Sequence, residues 1–77
     1  MPNFLKNWTF KDVEKFLRKH NFVFDRTRGS HYNFKGSIGG EYKNVTVPYH
    51  GSSAIDPRTM KSIIVQSGID IKEWLDK

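Results

Sequence analysis

The 77-residue chain carries a net charge of +5, six Phe, three Tyr and two Trp, and no cysteine. That length reads as a single domain, residues 1–77 with a core over about 9–76, too small to bury a deep core. The missing cysteines exclude a disulfide framework and thiolate metal sites, and apolar runs no longer than Ile63-Ile64-Val65 are far too short to span a membrane. No apolar leader is seen at Met1–Lys6, so a soluble protein of a reducing cytoplasm is expected. Residues 1–43 hold nine Lys/Arg against four acids, while residues 44–77 hold four of each. A local excess of that kind favours a polyanionic partner.

The first element opens at Thr9, a helix-capping residue with Asp12 in the reciprocal position. Phe10, Val13, Phe16 and Leu17 recur at helical spacing, which predicts a helix over about 10–20, closed by Asn21 in the left-handed conformation. From Phe22 the period changes to two. Phe22 and Phe24 share one side of a strand, and Val23, Asp25 and Thr27 the other. Arg28-Gly29 signals a turn into a second strand, Ser30–Phe34, in which Tyr32 and Phe34 alternate with His31 and Asn33. Lys35–Gly40 reads as a loop, Tyr42–Val47 as a third strand ended by Pro48. Asp56-Pro57 starts a second helix with Met60, Ile63 and Ile64 as its apolar stripe and Ser67-Gly68 as its close. Asp70 with Glu73 reads as a second capping pair, opening a short helix whose Ile71, Trp74 and Leu75 seal the core edge.

The expected fold is α+β, in the order αβββα with a terminal helical turn. A three-stranded antiparallel sheet carries two helices on one face, the architecture of double-stranded-RNA-binding domains. Phe22, Phe24, Tyr32, Phe34, Val45 and Val47 form the covered face. His31, Asn33, Asn44 and Thr46 form the open one.

Few residues can carry chemistry. The acids are scattered, no phosphate-binding loop is present, and the histidines at 20, 31 and 50 stand too far apart in sequence to suggest a metal site. No cofactor is expected. His20 sits at a helix end, where the dipole alone accounts for it. His31 follows Gly29-Ser30 on the open face, flanked by Arg26, Arg28 and Lys35. RNA brings its own nucleophile, the 2′-hydroxyl, so one base and a few cations suffice for cleavage without a metal. An exposed strand histidine can equally be a plain polar residue or pack on Tyr32. His50 is a secondary candidate, as acid or phosphate ligand, or a loop residue bonded to backbone. Arg58 and Lys61, in the first turns of the second helix, are candidate phosphate ligands or ordinary solvated charges. Tyr32, Tyr42 and Tyr49 can stack on unpaired bases, with core packing the competing use of Tyr32.

Three segments resemble the HicA (YcfA-like) family of toxin–antitoxin ribonucleases over about residues 9–76. Asn21–Phe34 is similar to its aromatic strand leading through a basic residue to Gly29-Ser30-His31. Val45-Thr46-Val47-Pro48-Tyr49-His50 is similar to its Val-Pro-x-His strand end. Asp56–Ile69 follows its second helix. The family often has a second histidine where this chain has Tyr32, an Arg at Lys61 and a Leu at Met60. The resemblance implies cleavage of mRNA without a metal, His31 as the catalytic histidine, and a HicB-type antitoxin that covers the site. Arg26, Arg28, Gly29, Ser30, Lys35, Arg58 and Lys61 are then the expected RNA-binding residues. A non-catalytic RNA-binding module of the same fold is the alternative.

Overall fold

The computed structural model describes residues 7–75. Most of the N-terminal lead and the Asp76 end of the expected core lie outside them. The elements follow the expected αβββα order: α1 (Phe10–Lys19), β1 (Val23–Arg28), β2 (His31–Ile38), β3 (Glu41–Pro48), α2 (Pro57–Ser67) and a short α3 (Ile71–Leu75). The strands form one open antiparallel sheet in the order β1-β2-β3.

α1 begins where its cap dictates. Thr9 Oγ1 accepts from the Asp12 N–H at 3.3 Å and Asp12 Oδ2 accepts from the Thr9 N–H at 3.0 Å, an arrangement worth about 1 kcal/mol. Phe10, Val13, Phe16 and Leu17 are buried. Asn21 takes a φ of 69°, and the Phe22 N–H returns to the Leu17 carbonyl at 2.9 Å. α2 starts at Asp56, whose Oδ1 accepts from the Arg58 N–H at 2.7 Å, and stops at Gly68, with φ 71°. Its buried Met60, Ile63 and Ile64 join the α1 residues and Phe34, Val45 and Val47 in one core. Both helices therefore cover the same face of the sheet.

Four expectations are corrected. Lys35–Ile38 is strand rather than loop, and the turn is the pair Gly39-Gly40 with φ of 61° and 83°, the conformation of a tight hairpin turn. Gly36 lies inside β2 because a Cβ there would meet the Phe22 ring at 2.7 Å. Phe24 keeps the apolar face but is 43% exposed, since α2 packs along β3, at the far edge from β1. In α3, Trp74 is buried while Ile71 and Leu75 stay exposed. Asp70 accepts from the Lys72 N–H at 2.9 Å, but the Glu73 carboxylate turns to His20 Nε2 at 3.7 Å and forms no reciprocal cap.

β1 also departs from strict alternation. Phe24 pairs with Phe34, but the next pair is Arg26 with Asn33, so one residue is bulged at Asp25. A bulge of one residue reverses the facing of everything after it. Thr27, expected on the polar side, pairs with Tyr32 on the apolar side. Arg26 and Arg28 move to the open face.

Candidate functional site

The open face of the sheet meets its edge turn at Gly29-Ser30. Gly29 has a φ of 63°, which a two-residue hairpin turn requires at its first position and a Cβ would penalise by about 1–2 kcal/mol. The turn is closed by the pair Arg28 and His31, and His31 pairs on its other side with Pro48. Directly paired residues project to the same face with Cβ atoms about 5 Å apart. Arg28 and His31 are thus neighbours on the uncovered face, and both are exposed. Neither has a side-chain hydrogen bond or ion pair with the described residues.

Further inward, Arg26 pairs with Asn33, which pairs in turn with Thr46, and the Thr46 hydroxyl donates to Asn33 Oδ1 at 2.7 Å. Lys35 follows, between Val23 and Asn44. Sequence reasoning did not single out Asp25. Its carboxylate is 3.4 Å from Arg26 Nε and 3.6 Å from Lys35 Nζ. Two of the three flanking cations therefore share an anion, and Arg28, beside the histidine, is the one with no ion pair among the described residues. The acid was visible next to Arg26; that the bulge turns it toward Lys35 was not.

His50 lies at the same corner, because the Tyr49 N–H donates to the Ser30 carbonyl at 2.7 Å and continues the β3 pairing past Pro48. The His50 carbonyl accepts from the Ser53 N–H at 3.2 Å, while its exposed side chain has no partner among the described residues. Arg58 and Lys61 are not brought to His31. α2 runs back along β3, its Gln66 Oε1 accepting from the Thr46 N–H at 2.9 Å. Its first turns therefore lie toward the Pro48 end, but in the helical layer behind the sheet. Among the described residues no three His, Asp or Glu side chains gather as a metal site, and no helix is long and apolar enough to cross a membrane.

The model of one protein family, described as the HicA toxin of bacterial toxin–antitoxin systems, matches residues 10–69. That match runs from the first helical residue past the end of α2, and takes in every residue of the corner. The chain belongs to the HicA toxin family. Membership makes it the toxin of a toxin–antitoxin system, with a HicB antitoxin as the implied partner. No curated protein and no solved structure matches the chain significantly. At the Gly29-Ser30-His31 turn an exposed histidine is paired across the strands with an arginine that has no side-chain partner among the described residues.

Proposed function

We propose that this HicA-family toxin is a cytoplasmic endoribonuclease that cleaves single-stranded mRNA without a metal, with His31 as its catalytic residue. The observation that carries the reading is the direct cross-strand pairing of exposed His31 with exposed Arg28, neither of which has a side-chain partner among the described residues. His31 takes the proton from a 2′-hydroxyl. The freed 2′-oxygen bonds to the adjacent phosphorus as the P–O5′ bond breaks, leaving a 2′,3′-cyclic phosphate and a 5′-hydroxyl. The leaving oxygen takes its proton from water or from His50. Arg28 stabilises the charge that develops on the phosphoryl oxygens. Arg26 and Lys35 hold neighbouring phosphates, and Gly29 and Ser30 let the backbone approach the RNA closely. Arg58 and Lys61 bind a more distant stretch of the strand at the start of α2. A HicB-type antitoxin neutralises the toxin by covering the His31 face.

The test is incubation of wild type and His31→Ala with a long single-stranded RNA in EDTA, with mapping of the product ends. Cleavage by wild type, weakened about 100-fold or more by the substitution, with cyclic phosphate ends, is the expected result. Equal cleavage by both proteins, or 3′-hydroxyl ends, overturns the mechanism. RNA binding without cleavage by either protein makes the chain a binding module.

A further inference from the structure

Behind the His31 corner, on the helical side of the sheet rim, three aromatic rings meet around an open cavity of about 460 Å³. Phe10 opens α1, Tyr32 follows His31 in β2, and Tyr49 leaves β3. Their ring centroids stand 4.9 Å apart for Phe10 and Tyr32, 5.0 Å for Phe10 and Tyr49, and 5.6 Å for Tyr32 and Tyr49. The rings pack edge to face or tilted, at 64°, 47° and 87°, and this cluster forms one side of the cavity. Phe10 is buried, Tyr32 is partly covered and Tyr49 is 41% exposed. Lys11 and Glu14 from α1 also line the cavity, the Glu14 carboxylate standing 3.4 Å from the Arg18 guanidinium.

We propose that this cavity is a nucleobase pocket, taking the unpaired base next to the phosphate held at His31. The proposal rests on the ribonuclease reading for its substrate. Three observations select a base over other occupants. The size suits one flat ring with its ribose. Tyr32 and Tyr49 supply aromatic surface, on which unpaired bases stack, with the Lys11 cation at the margin as a donor to ring-edge acceptors. The pocket is also bonded to the corner itself, because Tyr32 is the residue after His31 and the Tyr49 N–H donates to the Ser30 carbonyl at 2.7 Å. A strand laid on the open face reaches the pocket by turning once over the Gly29-Ser30 rim. A nucleotide flipped over that rim exposes its 2′-hydroxyl and phosphate to His31, so the pocket both selects the base and bends the strand toward in-line geometry. A duplex must first unpair and unstack the base, which favours cleavage in unpaired segments.

The test is an NMR titration of the His31→Ala protein with the four nucleoside 3′-monophosphates, with ribose 5-phosphate as the probe that lacks a base. Nucleotides are expected to shift the ring protons of Phe10, Tyr32 and Tyr49, and ribose phosphate is not. Tyr49→Ala should weaken that binding about tenfold, the loss expected for one stacked base, and Tyr49→Phe should stay within about twofold because the ring is kept. Ring protons unmoved by every nucleotide, or moved equally by ribose phosphate, overturn the pocket even where wild type cleaves RNA. Shifts without any cleavage by wild type keep the pocket and overturn the ribonuclease reading instead. If Tyr49→Ala leaves nucleotide binding intact but abolishes neutralisation by the antitoxin, the pocket belongs to a protein side chain and the proposal falls.

Discussion

The histidines at 20 and 31 stand in opposite surroundings. The His20 ring lies on Phe16 with centroids 4.4 Å apart, its Nδ1 is 3.0 Å from the Phe16 carbonyl, and its Nε2 is 3.7 Å from Glu73. Both nitrogens and one face are committed to the joint between α1 and α3, where Phe16 also stacks on Trp74 at 3.8 Å. His31 has an exposed side chain with no partner among the described residues and a guanidinium across the strand. The contrast teaches that a histidine's chemistry is set by what its ring atoms already touch. A side chain whose nitrogens are engaged in packing is a structural part. One held on a rigid strand end with its nitrogens open is available for proton transfer.

The sharpest way to break this contrast is to remove each ring in turn. His31→Ala should lower RNA cleavage about 100-fold or more and leave the thermal midpoint unchanged, as read by gel assay and melting. Arg28→Gln comes next. It should cut the cleavage rate about tenfold or more by withdrawing a donor from the developing charge, whereas Arg26→Gln, whose guanidinium already shares Asp25, should cost less in a parallel assay. His20→Ala should do the reverse of His31→Ala. It should destabilise the fold by about 1 kcal/mol through the lost ring contact, measured by urea unfolding, with cleavage per folded molecule intact. An equal loss of cleavage there would erase the distinction. The smallest effect is expected for Asp25→Asn. Releasing Arg26 and Lys35 to phosphate should tighten RNA binding about twofold and steepen its salt dependence; a weaker complex would mean that Asp25 holds the two cations in place.

Much of this was legible locally. The Thr9–Asp12 cap, the Asn21 stop, the Asp56-Pro57 start and the Gly68 close are fixed by neighbours within a few residues, and each forms as the residue types dictate. The strand containing Tyr32 and Phe34 alternates cleanly, so His31 could be assigned to the open face from its position alone. The loop expected over Lys35–Gly40 contains the Gly39-Gly40 turn but starts too early, because Gly36, a residue that usually marks a loop, is required in the strand by the Phe22 ring above it. That demand comes from a residue in another segment. The Glu73 side chain was drawn from a local cap to His20 for the same kind of reason.

The sequence by itself determined the element order, the two capped helices, the covered aromatic face and the exposed Gly29-Ser30-His31 turn, because each depends on local propensity or on a period of two or 3.6 residues. Only the tertiary structure decided which cations stand beside the histidine. Strict alternation from Phe22 and Phe24 would send Arg26 and Arg28 to the covered face. The bulge at Asp25 turns both to the open one, and it exists only in the pairing of β1 with β2. The same holds for Arg58 and Lys61, placed behind the sheet by the packing of α2 on β3, and for the meeting of Phe10, Tyr32 and Tyr49. Register and layer are relations between distant segments, and no local pattern carries them.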